Sequence, residues 1–132
     1  MDIINDPKPI PGNPTVDGVI IRRDPVDNAI ATNVPRVAVQ HSPTGFEIGY
    51  GGSGPADFAL NIMCAFLPAT PDDGTAVKAK NGHRVSTSAW WLYQSFKRDF
   101  LADELKPGEE IIITADDIRA WIVEELKKDR IG

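Results

Sequence analysis

Residues 49–54 hold four glycines in six positions, Gly49, Gly51, Gly52 and Gly54, and Pro55 follows at once. An apolar run that includes Phe58, Leu60, Ile62 and Met63 comes next. So much glycine allows either positive φ or close backbone approach, and proline suits the first position of a helix. The chain must therefore turn sharply here, from an extended segment into a helix. The glycines also match the spacing G-x-G-x-x-G, which cradles phosphate when it joins a strand to a helix N-terminus. Two readings follow: a small anion, nucleotide-like in character, held at Gly51, Gly52, Ser53 and Gly54, or a structural corner.

The surrounding pattern sets the fold class. Val16–Arg22 and Val34–Gln40 read as strands, and Phe46–Ile48 as a third that pairs with the second around the turn at 42–45. Pro55–Phe66 is apolar nearly all round, so it is expected to be the central buried helix. Asp57, placed in its first turn, suits the positive end of the helix dipole. A second helix is expected over 88–105, capped by Ser86 or Ser88 and ended by Pro107-Gly108. Glu110–Ile113 reads as a short strand. Thr114 and Asp117 form a capping-box-like pair before a last helix over 115–129. Strands first and helices later predict an α+β domain, a small antiparallel sheet packed with about three helices.

A chain of 132 residues suits one domain with a modest core. Four prolines at 7, 9, 11 and 14 predict a flexible Pro-rich arm over residues 1–15, and a single compact domain over 16–132. Residues 68–88 form a long loop, with room for a small hairpin around Asn81-Gly82.

Composition excludes some functions. A formal charge of −5 argues against gripping duplex nucleic acid through a basic patch, although a local cluster of cations remains compatible with it. One cysteine, Cys64, permits no internal disulfide. No apolar run approaches the ~20 residues of a membrane helix and no signal peptide opens the chain. A cytoplasmic protein is therefore expected.

The catalytic motifs fail on inspection. Pro55 lacks an N–H that an anion would use, Asp57 carries the wrong charge beside a phosphate, and no Gly-Lys-Ser/Thr marks a P-loop. Gly51-Gly52-Ser53-Gly54-Pro55 lacks the last glycine of a nucleophile elbow. His41 and His83 have no metal-ligand spacing. No catalytic residue, metal site or cofactor is assigned, and a non-enzymatic protein is expected. Trp90 and Trp91 are adjacent, so one helix stripe cannot bury both. Trp90, Trp91 and Tyr93, with Asp72 and Asp73 of the loop, form the candidate partner-binding set.

The stretch His41-Ser42-Pro43-Thr44-Gly45-Phe46-Glu47-Ile48-Gly49-Tyr50-Gly51-Gly52-Ser53-Gly54-Pro55-Ala56-Asp57 resembles the signature of an uncharacterised domain family of unknown function. Leu92-Tyr93-Gln94-Ser95-Phe96-Lys97-Arg98 and Thr114-Ala115-Asp116-Asp117-Ile118-Arg119-Ala120-Trp121 are similar to later segments of that family. The similarity spans about residues 34–122, with Ile48 where tryptophan is common. That family occurs in bacteria, archaea and their phages, and it implies a phage or mobile-element setting without an activity. The leading expectation is a phage or mobile-element accessory protein that binds a host macromolecule, a host protein or protein complex, in the host cytoplasm, with inhibition of a host defence system as the role this setting suggests. The alternatives are the small-molecule binder at the glycine turn and a structural, self-assembling phage protein linked through residues 1–15, which makes a homo-oligomer.

Overall fold

A computed structural model describes residues 7–42 and 45–129. The architecture is α+β. A four-stranded sheet has the order β1 (Lys8–Pro9), β3 (Ile30–Thr32), β2 (Val19–Arg23), β6 (Glu110–Ile113). The sheet is mixed where an antiparallel one was expected: β1 runs parallel to β3, while β2 pairs antiparallel with β3 and β6. A two-stranded hairpin, β4 (Val77–Lys78) and β5 (Arg84–Val85), occupies the expected place around Asn81-Gly82.

The arm expected over 1–15 is, in its described part, tied to the sheet. Lys8 and Pro9 sit opposite Ala31 and Thr32, and the Ile10 N–H donates to the Thr32 carbonyl at 2.9 Å. An edge strand tolerates proline because its outer side needs no donor. Asn13 then caps α1, the single turn Pro14–Asp17, by accepting from the Thr15 N–H at 3.0 Å. The strand expected from Val16 therefore starts at Val19. Residues 1–6 lie outside the described residues.

The central helix α2 spans Ser53–Phe66 and is buried from Gly54 through Cys64. It packs on α3 (Thr87–Phe100), and Phe58 stacks on Phe46 with ring centres 4.6 Å apart. Ser86 caps α3: its Oγ accepts from the Ala89 N–H at 3.1 Å and donates to the Leu67 carbonyl at 2.6 Å. The end of α2 is thus tied to the start of α3. The second helix ends earlier than expected because tertiary donors take the carbonyls beyond it. The Leu101 carbonyl accepts from the Gly49 N–H at 2.9 Å, and the Leu105 carbonyl accepts from Arg23 Nε at 3.0 Å. The last helix α4, Ala115–Asp129, starts where Thr114 Oγ1 accepts from the Asp117 N–H at 3.0 Å. Its Trp121 meets Phe96 and Phe100 edge-on, at 5.3 and 5.7 Å between ring centres.

The strands expected over 34–40 and 46–48 do not form, and neither does their hairpin. Residues 37–42 run along α2 and satisfy their backbone with side chains instead. Asn61 Oδ1 accepts from the N–H groups of Val37 and Ala38 at 2.7 and 2.9 Å, and its amide donates to the Ala38 carbonyl at 2.9 Å. Asn81 Oδ1 accepts from Val39 at 3.1 Å, and its amide donates to the Val37 carbonyl at 3.0 Å. The Asp57 carboxylate takes the next three N–H groups: Gln40 at 3.2 Å, His41 at 2.8 Å and Ser42 at 2.8 Å. Buried backbone groups must find partners. Here Asp57 and Asn61 of α2, with Asn81 of the hairpin, supply them from their side chains, so the segment needs no neighbouring strand.

Candidate binding surface

The glycine turn sits where α2, α3 and the segment 45–50 converge. Glu47 is clamped from below: Arg23 reaches it with both terminal nitrogens at 2.8 Å, while Arg23 Nη1 also donates to the Asn28 carbonyl at 3.1 Å. Gly54 lies directly on this clamped residue. A Cβ at Gly54 would come within 2.8 Å of Glu47 Cβ and 3.3 Å of its backbone nitrogen. The Tyr50 ring folds back over Gly52, where a Cβ would meet ring carbon Cε2 at 2.2 Å. Gly54 is therefore required by close approach, as the structural-corner reading expects, and Gly52 leaves room for the Tyr50 ring.

This geometry decides what the expected anion cradle looks like. Gly51 and Ser53 are exposed, Gly52 is half-buried, and Gly54 is buried against Glu47. Gly52, at the helix N-cap, offers no side-chain bond. The four residues are contiguous, but Tyr50 covers the turn at Gly52. Asp57 lies two residues deeper in the helix than expected, past its first turn, since α2 begins at Ser53. It is wholly inaccessible, and its partners are backbone N–H groups, not a helix end.

The partner-binding set is divided by the structure. Trp91 is 64 % exposed, whereas Trp90 is half-buried and packs on Tyr93 at 5.5 Å between ring centres. Tyr93 is buried, and its hydroxyl lies 2.7 Å from His41 Nε2. Burial pushes the Tyr93 phenol above its ordinary range; the Gln94 side chain opposes this and the Asp57 charge adds to it. Asp57 bonds the His41 backbone and not its ring, so the cluster lacks the carboxylate–imidazole contact that orients a general base. Asp72 is exposed. Asp73 folds onto its own loop, accepting from the Thr75 N–H and Oγ1 at 2.9 and 2.6 Å, and these bonds hold its carboxyl below the usual range. That loop reaches α3 where Thr87 Oγ1 donates to the Thr75 carbonyl at 3.1 Å, one turn before Trp91.

Sequence reasoning missed half of this surface. A groove of about 390 Å³ lies between the glycine turn and α3, lined by Tyr50, Gly51, Gln94, Lys97, Arg98 and Ala102. It holds two cations and no acid. Lys97 Nζ reaches only the Gly51 carbonyl, at 3.4 Å, and Arg98 Nε stands 3.7 Å from Asp99. Asp99 itself accepts from Trp121 Nε1 at 2.9 Å. Tyr50 is 53 % exposed and forms one wall. Lys97 and Arg98 look from sequence like an ordinary solvated helix face, and only their placement beside Gly51 singles them out.

Among the described residues, no three His, Cys, Asp or Glu side chains are grouped to hold a metal ion, and no helix is long and apolar enough to cross a membrane. Cys64 is buried, and burial pushes its thiol up to about 11. A thiol so placed supplies little thiolate for nucleophilic work.

No curated protein and no solved structure matches the chain. A family model matches residues 11–81, from the loop before α1 through the hairpin turn, and takes in the glycine turn and the Asp57–Asn61 seam. Residues 92–98 and 114–121, which extended the resemblance, lie beyond it. The matched span is more than half of the chain, which therefore belongs to DUF6166, a family of unknown function.

Proposed function

We propose that this protein acts without catalysis, by binding a host macromolecule through the face formed by the outer side of α3 and the glycine turn. The observation that supports this most is the exposure of Trp91, 64 % open on a helix whose other large apolar residues are largely covered. Tryptophan, tyrosine and arginine dominate the energetics of recognition surfaces, and Trp91, Tyr50 and Arg98 are all exposed here. The phage or mobile-element setting, and inhibition of a host defence system, rest on the sequence resemblance and give the macromolecule its source.

The test is capture from host lysate with the tagged chain and with Trp91→Ala. Trp91 is exposed, so its loss leaves the fold intact. Specific capture by the native chain that falls at least tenfold in Trp91→Ala is the expected result. Equal capture by both, or no saturable capture by either, overturns the proposal.

A further inference from the structure

We infer that the groove between Tyr50 and α3 seats an unpaired nucleic-acid strand, with a base stacked on Tyr50 and adjoining phosphates on Lys97 and Arg98. The inference rests on the proposed binding role of this face and names the chemistry of the partner.

Tyr50 is the first support. Its ring lies against Gly52 so closely that a single added carbon there would sit 2.2 Å from Cε2, and a carbon added at Gly54 would lie 3.2 Å from its hydroxyl. The turn therefore backs the ring, yet Tyr50 remains 53 % exposed. An aromatic side chain held from behind and open in front is a stacking platform, and every base has a face to place on it. Gly52 acquires a purpose here: having no side chain, it leaves room for the ring.

Charge is the second support. The chain carries −5, yet the six residues lining this groove include two cations and no carboxylate. Neither cation has a hydrogen-bonded carboxylate partner among the described residues. Two such cations, Lys97 bonded only to a carbonyl and Arg98 paired loosely with Asp99 at 3.7 Å, beside a stacking ring match the alternation of phosphate and base along a single strand. Gln94, on the same lining, offers an amide that suits a base edge. Trp91 stands three residues before Gln94 on the same helix face, where a second base can stack. A duplex is disfavoured, because its bases are already stacked and two cations cannot track its backbone. A volume of about 390 Å³ suits one nucleotide unit in the groove itself.

The experiment uses the full chain and a fluorescein-labelled ten-residue oligothymidylate, read by anisotropy at several salt concentrations. Saturable binding is expected, with a log–log salt slope of about −1.4 for two phosphates on a single strand. Tyr50→Ala is expected to weaken it about tenfold or more. Lys97→Gln and Arg98→Gln each weaken it and reduce the slope by about 0.7. Gly52→Ala, which displaces the ring without deleting it, also weakens binding while the melting temperature changes little. Three results overturn the inference: no saturable binding, binding that Tyr50→Ala leaves unchanged, or equal binding of the duplex. Two competitors test the source. Thymidine monophosphate that competes as well as the strand would make the ligand a free nucleotide. A decaglutamate peptide that does so would make the partner an acidic protein segment. Either outcome overturns the strand and leaves the capture result for Trp91→Ala standing on its own.

Discussion

Asp57→Ala is the substitution that most directly tests how this fold is held. The side chain is wholly buried and accepts from three successive backbone N–H groups, those of Gln40, His41 and Ser42. Hydrogen bonds to a charged acceptor contribute about 1.5–3 kcal/mol each, and a buried donor left unpaired costs about 1–3 kcal/mol. Ser42 is buried, whereas Gln40 and His41 are partly open and can recruit water, so the three terms do not add in full. A loss of about 3–5 kcal/mol follows, at the upper end of single-residue effects. With an unfolding entropy of about 2.1 cal/mol/K per residue, that is about 11–18 °C in melting temperature for a chain of this length. The assay is urea denaturation with the slope fitted freely, alongside amide exchange. The Gln40, His41 and Ser42 amides should lose protection more than those of β2. Asp57→Asn keeps one acceptor oxygen and should lose less than Asp57→Ala. A loss below about 1 kcal/mol with the three amides still protected would refute the claim that side chains on α2 replace a strand here.

Three further outcomes follow from other parts of the structure. Gly54→Ala should cost about 2–3 kcal/mol by overpacking, because Glu47 is held by Arg23 and cannot yield, while Gly51→Ala, with open space around it, should stay within about 0.5 kcal/mol; equal melting temperatures for the two would contradict this. Cys64 should resist a thiol reagent at pH 8 in the folded protein and react after denaturation; rapid stoichiometric labelling of the native chain would count against its burial. Lys8 bonds Asp24 and Asp27, which lowers both carboxyls from 3.8 and raises the lysine from 10.5. The acids' contribution is therefore present above their unfolded value and lost as pH falls through the lowered ones; the lysine's is present below 10.5 and lost as pH rises through its raised value. NMR titration of Lys8→Met should show both carboxyls titrating higher than in the native chain, with a difference that shrinks in high salt; unchanged values would remove the pairing.

Much of the architecture was legible because it is local. The 3.6-residue apolar pattern marked α2 and α4 to within two residues, Ser86 and Thr114 announced helix starts, and Asn81-Gly82 announced the small hairpin. The glycine density at 49–54 marked a sharp corner into a buried helix, and those residues fall within the span that the family model matches. Alternation over 34–48 misled. Val37, Val39, Phe46 and Ile48 have the spacing of strands, but a strand is defined by its partner. The partner here is a row of side chains on α2 and the hairpin. Nothing in a linear sequence distinguishes an Asp57 that complements a helix dipole from one that binds three distant N–H groups.

The sequence by itself determined α2, α4, the start of α3, the corner and the α+β class, because propensity, capping and periodicity act over a few residues. The tertiary structure alone decided which tryptophan faces out, that Gly52 carries the Tyr50 ring, and that Lys97 and Arg98 share a groove with it. The last of these depends on a contact between residues 46 positions apart, the Lys97–Gly51 bond. Such contacts are set by how whole faces pack, and packing is a property of the assembled core, not of any stretch of chain.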